Sequence, residues 1–313
     1  MPEAVGIDVG GTKIAALRVD AGGTILARYS LPSPASDEAA LAEAMAAAAR
    51  ELITPQVVAV GVGAAGMVEH ATGVLRSAPN LAWREFALTE TMTRALSLPC
   101  IADNDANAAT WGEWKAGAGR GARNLLMVTI GTGIGGGIVS DGRLMRGAHG
   151  YAAEVGHIIV EPAGPECGCG NRGCWEQVAS GRAIDRLARE AVAAAPDSEF
   201  ARRVTSPDGS VSGTAVSSAA VEGDGTALGI LGVVGTRLGE GLAGLANVLD
   251  PELIVVGGGG AEAGEALLQP ARAAFLRCLE AAELRPEVRI VAAALGNDAG
   301  ALGAALMALE EHA

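Results

Sequence analysis

Four side chains between residues 157 and 174 have the types and spacing of a metal site. The segment CGCGNRGC at 167–174 contains Cys167, Cys169 and Cys174, and His157 precedes the first of them by ten residues. One imidazole nitrogen and three thiolate sulfurs form a ligand set that suits tetrahedral structural zinc. The sequence therefore predicts a structural Zn²⁺ ion held by these four residues.

Two other uses of the cysteines stay open. A disulfide between Cys167 and Cys169 would be strained, and a bridge from either to Cys174 would leave one thiol unpaired. Buried cysteines without a ligand are the remaining alternative. The N-terminal residues show no basic stretch followed by an apolar run and a cleavage site. We therefore expect a cytoplasmic, reducing location, where clustered cysteines more often bind metal than form disulfides.

A carboxylate stands at a predicted helix start. The segment LPCIADNDANAATWGEWKAG predicts a short strand, a polar break and a helix beginning near Ala106. Asn104 and Asp105 lie at the N-terminus of that helix, where the helix dipole favours an ionised carboxylate. Asp105 can serve as a helix cap. It can also act as a general base that accepts the proton of a hydroxyl attacking a phosphoryl group, and the two roles are compatible.

One strand-turn-strand pattern occurs twice. AVGIDVGGTKIAALRVDAGG at 4–23 aligns with LMVTIGTGIGGGIVSDGR at 126–143, so that Gly10 corresponds to Gly131. Glycines in such turns let backbone N–H groups approach a phosphate, and a threonine adds a hydroxyl donor. Neither turn is a dinucleotide fingerprint or a Walker loop. Ordinary hairpin turns are the alternative, but the repetition favours a pair of phosphate sites.

Further candidate ligand groups flank the zinc residues. Glu154 and Glu176 lie close to them in sequence and could accept hydrogen bonds from adjacent hydroxyls, as on a sugar. Solvated surface charges are the alternative for each. A structural metal could lock the loop that carries them. Farther on, DPELIVVGGGG predicts a buried strand ending in a glycine loop, which could face a nucleoside or be a plain turn.

Length and charge limit the possible partners. With 313 residues and 50% apolar content, the chain can bury a large core and is predicted to form two domains. Its net charge of -13 argues against unaided nucleic-acid binding. The longest uncharged stretches, 52–68 and 124–140, are interrupted by glycine and polar residues or proline. We therefore expect neither a membrane span nor a nucleic-acid partner.

Over nearly its whole length the chain resembles the ROK sugar kinases, and within them the ATP-dependent glucokinases of actinobacteria. The resemblance rests on these segments: DVGGTK at 8–13, APNLAW at 78–83, NDAN at 104–107, IGTGIGGG at 130–137, EVGH at 154–157 and CGCGNRGCWE at 167–176. One position departs from the family pattern, because Asp103 stands where a glutamate is more common. We expect that change to affect only local packing.

The resemblance implies an α/β structure of the actin-like ATPase and hexokinase type, a duplicated fold with two α/β domains around a central cleft. The expected small domain comprises residues 1–108 with 299–313. The expected large domain comprises residues 109–298 and includes the zinc-binding loop. The resemblance also implies a homo-oligomer, either a dimer or a tetramer.

The family pattern assigns roles to individual residues. It makes Asp105 the base on the sugar's 6-hydroxyl, and it implies that His157 uses one ring nitrogen for zinc and the other for sugar. The implied sugar-binding residues are Gly66, Asn80, Asn104, Asp105, Glu154, His157 and Glu176. The implied MgATP-binding residues are Asp8, which orients hydrated Mg²⁺, with Gly10, Gly11, Thr12, Lys13, Gly131, Thr132, Gly133, Gly257, Gly258 and Gly259.

These roles predict an ATP-dependent glucokinase, which transfers the γ-phosphoryl group of MgATP to the 6-hydroxyl of glucose. Related kinases acting on N-acetylmannosamine, mannose or fructose are alternatives, because such sugars differ in features finer than motif spacing can resolve. Polyphosphate is an alternative donor, although the cysteine cluster favours ATP. A sugar-sensing regulator would need a DNA-reading helix, and the first strand already begins at Val5.

Overall fold

The computed structural model describes residues 1–78 and 81–312. Strands alternate with helices along the chain. The strands are β1 (Glu3–Val9), β2 (Lys13–Asp20), β3 (Ile25–Pro32), β4 (Val57–Ala64), β5 (Met67–Glu69), β6 (Val74–Ser77), β7 (Arg84–Ala87), β8 (Cys100–Asn104), β9 (Leu125–Ile130), β10 (Ile134–Ser140), β11 (Arg143–Leu144), β12 (Leu253–Gly257) and β13 (Arg289–Ala292). The helices are α1 (Glu38–Arg50), α2 (Leu88–Leu96), α3 (Asp105–Ala116), α4 (Glu176–Ala179), α5 (Gly181–Ala194), α6 (Glu199–Val204), α7 (Gly213–Val221), α8 (Gly225–Leu249), α9 (Glu265–Cys278) and α10 (Ala299–His312).

Two sheets repeat the same strand order. The first runs β3-β2-β1-β4-β8 and the second runs β11-β10-β9-β12-β13. When the five strands of each sheet are numbered in chain order, both sheets have the same spatial order, 3-2-1-4-5. The strand-turn-strand units predicted at 4–23 and 126–143 are β1–β2 and β9–β10. The predicted duplicated α/β fold is therefore confirmed, and a smaller antiparallel sheet of β5, β6 and β7 accompanies it.

The chain divides into two compact units. Unit 1 contains Met1–Leu125, Gly137–Ala153 and Ala293–Ala313, and unit 2 contains Leu126–Gly136 and Glu154–Ala292. The boundary predicted between residues 108 and 109 would fall inside α3, whereas the whole of α3 belongs to unit 1 because it packs along α10. The segment from Gly137 to Ala153 likewise lies in unit 1 rather than with its sequence neighbours.

Close backbone contact holds α10 against the first sheet in unit 1. A Cβ atom at Gly6 of β1 would lie 1.8 Å from the carbonyl oxygen of Ala301, and one at Gly61 of β4 would lie 1.9 Å from that of Ala304. On the other side of the helix, a Cβ at Gly303 would lie 1.7 Å from the carbonyl oxygen of Ala108 in α3. Glycine at these positions lets α10 pack directly on both neighbours.

The other face of the first sheet is covered by α1 and α2. Leu41, Met45, Leu88 and Met92 are fully buried there against apolar side chains of β1, β2 and β4. The strand segment EAVGIDV is buried at nearly every position, as expected for a central strand with both faces covered. This packing fixes the carboxyl ends of β1, β4 and β8, where polar side chains follow.

In unit 2, α8 packs closely against α9. By length and composition α8 could cross a membrane, and half of its most apolar window is buried inside the protein. Core helices meet the same criterion, so this is weak support for a membrane span. Two glycines of α8 face α9, because a Cβ at Gly235 would lie 2.4 Å from the carbonyl oxygen of Leu267 and one at Gly239 would lie 2.1 Å from that of Ala271.

This packing predicts opposite effects for two glycine-to-alanine changes in the same helix. Gly239→Ala should destabilise the protein by roughly 2 kcal/mol or more, because the new methyl group collides with backbone of α9. Gly244→Ala has nothing within 4 Å and should stabilise it by up to about 1 kcal/mol through helix propensity. Urea unfolding of both variants measures the difference. Equal stabilities would show that α8 and α9 do not pack as described.

Candidate functional site

The carboxyl ends of three adjacent parallel strands bring acidic residues together in unit 1. In the strand register, Asp8 of β1 pairs with Gly63 of β4, and Gly63 pairs with Asp103 of β8. Gly63 also lies close to the first turn of α3, where its Cβ would be 3.6 Å from the Cα atom of Asp105. Two strands and the start of α3 therefore bring three carboxyl groups to the same edge of the sheet. Ligand sites in α/β proteins commonly form at this edge.

Asp105 is the first residue of α3 rather than its cap. The cap is Asn104, whose Oδ1 accepts hydrogen bonds from the backbone N–H groups of Ala106 at 2.8 Å and Asn107 at 3.1 Å. The helix begins one residue earlier than the sequence predicted. Because Asn104 provides the cap, capping alone does not account for an aspartate at 105.

Both Asp105 and Asp8 hold their protons more tightly than an exposed aspartate. Burial raises the pKa of Asp105. Burial and the nearby charge of Asp105 raise the pKa of Asp8 to about 7, although Lys13 opposes the change. A divalent cation bound beside Asp8 would oppose the effect of the Asp105 charge and favour the ionised form of Asp8.

Asn104 links the helix start to the predicted loop at Gly66. Its Nδ2 donates to the carbonyl oxygen of Gly66 at 3.0 Å. Gly66 has a φ of 149°, and a Cβ there would lie 2.4 Å from the carbonyl oxygen of Ser77, so only glycine fits. The structure thus brings Gly66, Asn104 and Asp105 together. The predicted sugar ligand Asn80 lies outside the described residues.

The first predicted phosphate turn connects β1 to β2. The backbone N–H of Gly10 donates to the carbonyl oxygen of Lys13 at 3.1 Å, which closes the turn. Gly11 lies at the turn between them, and Thr12 and Lys13 are exposed there. Asp8 precedes the turn, and the start of α10 approaches its carboxylate, since a Cβ at Gly300 would lie 2.8 Å from Asp8 Oδ2. The turn keeps the lysine close to the acidic strand ends.

The second predicted phosphate turn lies in unit 2 and is held by the start of α5. The N–H of Gly131 donates to the carbonyl oxygen of Gly133 at 3.0 Å. The N–H of Gly181 donates to the carbonyl oxygen of Gly131 at 2.9 Å, and Ser180 Oγ donates to that of Thr132 at 3.0 Å. The N-terminus of α5 therefore adjoins the turn, and the positive end of a helix dipole favours an anion.

A cavity of about 340 Å³ joins this turn to the glycine loop after β12. Gly259 and Gly260 line it together with Gly131 and Thr132. The predicted Gly257 is buried at the end of β12, and Gly258 packs on Ile130. Of the three predicted glycines after β12, Gly259 is therefore the one that lines the cavity.

Sequence reasoning missed several residues of this cavity. Asp185 of α5 lines it, as do Ser212, Gly213, Thr214 and Ser217 around the start of α7. Asp185 Oδ1 accepts a hydrogen bond from the N–H of Gly213 at 2.5 Å, which fixes the two helices relative to each other. A glycine and hydroxyl cluster at a helix start is a signal that could have been noticed. Its proximity to the glycine loop depends on long-range packing.

The four predicted zinc ligands form one cluster in unit 2. Their donor atoms all lie within 4.8 Å of one another. Cys169 Sγ is 3.6 Å from Cys174 Sγ, and Cys167 Sγ is 3.7 Å from His157 Nδ1. Tetrahedral zinc with Zn–S bonds near 2.3 Å places its sulfur ligands about 3.8 Å apart. The cysteines are free, and the donor set fits zinc.

The surrounding backbone affects the thiols differently. A hydrogen bond from the N–H of Asn171 is the main cause that lowers the pKa of Cys169 to about 7, while burial raises the pKa of Cys167 to about 12 and also raises that of Cys174. Zinc binds thiolates, so metal binding would release the protons that burial retains.

Trp175 anchors the end of the cysteine loop to α8. Its side chain is fully buried, and its Nε1 donates to the carbonyl oxygen of Arg237 at 2.9 Å. Gly241 leaves space for the indole, because a Cβ there would lie 2.1 Å from the ring. The anchor fixes the neighbouring residues Cys174 and Glu176.

Glu176 connects the cysteine cluster to the second glycine turn. Its Oε1 accepts hydrogen bonds from Cys167 Sγ and Gln177 Nε2, both at 3.0 Å. Its Oε2 lies against Gly133, where a Cβ atom would be 2.2 Å away. A predicted sugar-binding carboxylate therefore contacts a predicted phosphate turn.

Glu154 and His157 bracket a short 3₁₀ turn, Val155–His157. The turn packs on the start of β10, since a Cβ at Gly156 would lie 2.1 Å from the carbonyl oxygen of Ile134. Glu154 is exposed at the start of the turn, and His157 is half-buried at its end. In unit 2 the structure thus places His157 with the cysteines and Glu176 with both the cysteines and Gly133.

Comparisons with known proteins agree on one family. The model of the ROK family matches residues 4–311. The glucokinase of Streptomyces coelicolor is 43% identical over 309 residues, which cover 98% of this chain and 97% of that protein. An N-acetylmannosamine kinase of Escherichia coli is 36% identical over 315 residues, which cover 97% of this chain and 98% of that protein.

A solved structure agrees with the sequence comparisons. The ROK family glucokinase from Streptomyces griseus, in complex with glucose and AMPPNP, has a TM-score of 0.89 and 42% identity, covering 98% of this chain and 99% of that chain. The predicted family and fold class are both confirmed. The chain belongs to the ROK family.

Proposed function

We propose that the protein is an ATP-dependent glucokinase, which transfers the γ-phosphoryl group of MgATP to the 6-hydroxyl of glucose. The observation that carries this proposal is the position of Glu176, whose carboxylate adjoins both the cysteine cluster and the glycine turn at Gly133. A sugar kinase must hold hydroxyl groups next to a phosphate-binding turn. The likeness to Streptomyces glucokinases over 98% of the chain favours glucose.

The proposed base is Asp105. Phosphoryl transfer requires little covalent chemistry from the protein, so positioning and charge stabilisation dominate. We assign Asp105 the proton of the attacking hydroxyl, because burial raises its pKa and thereby makes its carboxylate a stronger proton acceptor. Asn104 caps α3 and also bonds to Gly66, so it would hold Asp105 and the predicted sugar-binding residue Gly66 in a fixed relative position.

The nucleotide would be held mainly by backbone donors. The turns at Gly10–Lys13 and Gly131–Gly133 would bind phosphates, with Lys13 supplying a positive charge in an acidic chain. Bound Mg²⁺ would neutralise phosphate charge, and Asp8 would orient it in its hydrated form. The 340 Å³ cavity beside Gly259 would take the nucleoside, with Asp185 and Ser212 at its wall.

Zinc is proposed as a structural ion held by His157, Cys167, Cys169 and Cys174. His157 Nδ1 lies on the cysteine side of the ring, so Nε2 would remain for a sugar hydroxyl. Because Cys174 precedes the anchored Trp175 and Glu176 directly in the chain, the ion would also fix the backbone that carries Glu176.

N-acetylmannosamine is the second candidate substrate. The specific observation in its favour is the 36% identity to an Escherichia coli N-acetylmannosamine kinase over 97% of this chain. That value is below the identity to the Streptomyces glucokinase, so glucose is the first choice.

The proposal predicts sugar-dependent formation of ADP from MgATP, fastest with glucose. Initial rates with glucose, mannose, fructose, N-acetylmannosamine and no sugar measure this in one coupled assay. If the rate were highest with N-acetylmannosamine, that sugar would be the substrate in place of glucose. The absence of any sugar-dependent rate with these acceptors would contradict the kinase assignment.

Asp105→Asn should lower kcat by about 100- to 10,000-fold, because the amide keeps the size of the side chain but cannot accept the hydroxyl proton. Glucose binding by calorimetry should persist. Asp208→Asn, which changes an exposed aspartate in a surface turn, is the matched control and should keep wild-type kcat. Near-wild-type turnover by Asp105→Asn would exclude Asp105 as the base.

Cys169→Ser should lower bound zinc and raise the glucose KM together, because the cluster loses one thiolate ligand and the loop loses its clamp. Cys278→Ser changes an exposed cysteine of α9 and should leave both unchanged. Elemental analysis and steady-state kinetics measure the two quantities. Loss of zinc with an unchanged KM would show that the metal does not organise the sugar site.

A further inference from the structure

Asp103 is a buried carboxylate that the proposed chemistry does not use. It is 2% exposed and lies at the end of β8, two residues before Asp105. Its Oδ1 accepts from the backbone N–H of Asn104 at 2.8 Å and from Asn107 Nδ2 at 2.9 Å. The same carboxylate oxygen therefore bonds to Asn104, directly before Asp105, and to Asn107, two positions after it.

The second oxygen of Asp103 is paired with an arginine. Arg146 Nε donates to Asp103 Oδ2 at 2.6 Å, and Arg146 Nη2 contacts the sulfur of Met307 in α10 at 3.9 Å. His70 Nδ1 lies 3.8 Å from the same oxygen. Burying a carboxylate without a paired cation is costly, so the Arg146 guanidinium supplies the partner that this buried position requires.

This arrangement exceeds what a helix start requires. Helices α1 and α8 begin with an aspartate cap that accepts from two backbone N–H groups. Helix α3 has an equivalent two-bond cap from Asn104 and carries the Asp103 carboxylate in addition. The bonds from Asp103 restrain Asn104 on one side of Asp105 and Asn107 on the other.

We propose that Asp103 and Arg146 form a positioning pair for the catalytic base, so that the ion pair sets the orientation of the Asn104–Asp105 backbone and hence of the Asp105 carboxylate. This inference rests on the proposed function of Asp105. Neither member of the pair need touch the substrate. Its loss should therefore affect kcat more than glucose binding, since small misplacements of a reacting group cost about 100-fold in rate.

The test uses the double variant Asp103→Asn, Arg146→Gln in the full-length protein. Removing both charges avoids leaving one of them buried and unpaired, which would destabilise the fold by itself. The measurements are kcat and KM for glucose at saturating MgATP, the glucose Kd by calorimetry, and the thermal midpoint. We expect kcat to fall at least tenfold, with the glucose Kd within threefold of wild type.

A merely structural pair would give another pattern. If kcat of the folded double variant stays within threefold of wild type, the positioning proposal is wrong. It is also wrong if kcat and glucose affinity fall only in proportion to a lost folded fraction. If the double variant does not fold, Arg146→Lys alone provides the readout, because it keeps a positive charge beside the buried Asp103 while removing the Nε donor that fixes its carboxylate.

The matched control removes an exposed Arg–Asp pair from the same unit. Arg123 and Asp141 are 3.1 Å apart with side chains 75% and 77% exposed, and Arg123→Gln, Asp141→Asn should leave kcat unchanged. The wild-type rate separates the two proposals. No glucose-dependent turnover by the wild type would reject the glucokinase assignment, whereas retained turnover by the double variant would reject only the positioning pair.

Discussion

The position of Asp105 depends on backbone packing between α3, α10 and the first sheet. The helices touch at Gly303 and at Gly112, where a Cβ would lie 1.7 Å from the carbonyl oxygen of Ala108 and 2.5 Å from that of Ala299. Side chains at such points could shift between rotamers, whereas backbone in direct contact has no such freedom. Helix α3 is therefore held as a rigid support, and a buried carboxylate at its first residue acquires a defined direction.

Each unit also uses a strand-turn-strand device, but the two turns are supported differently. In unit 1 the turn at Gly10 is preceded by the carboxyl group of Asp8 and followed by the ammonium group of Lys13, so an acidic and a basic side chain flank it. In unit 2 the turn at Gly131 rests on the start of α5, which offers a helix dipole instead of a side-chain cation. A chain with a net charge of -13 can thus present local positive potential to a phosphate without a basic surface.

The sequence predicted the elements well where a pattern is local. The strand pairs β1–β2 and β9–β10, the cysteine cluster and the start of α3 to within one residue follow from apolar runs, turn glycines and ligand spacing. The contact of Glu176 with Gly133 could not be predicted in this way, because the two residues are far apart in the chain. The same holds for Asp185 and Ser212, whose proximity to Gly259 results from helix packing.

Asp103 shows why a local interpretation can underestimate a residue. As a departure from a family pattern, it indicated a change in packing and nothing more. The proposed positioning role depends on Arg146, which is 43 residues later and pairs with Asp103 only after the chain has formed α3, β9, β10 and β11.

The cysteine loop shows why a metal suits this site. Gly170 and Gly173 have φ values of 91° and 71°, and a Cβ at Gly173 would lie 1.6 Å from the carbonyl oxygen of Glu161, so the loop is tightly folded with few apolar side chains. Such a segment has little hydrophobic burial to offset the entropy of ordering it. Four ligand bonds would supply that energy at one point. At the end of this loop, Trp175 packs on α8 and Glu176 lies against the glycine turn at Gly133. By ordering the loop, the ion would therefore fix the position of the predicted sugar-binding residue Glu176.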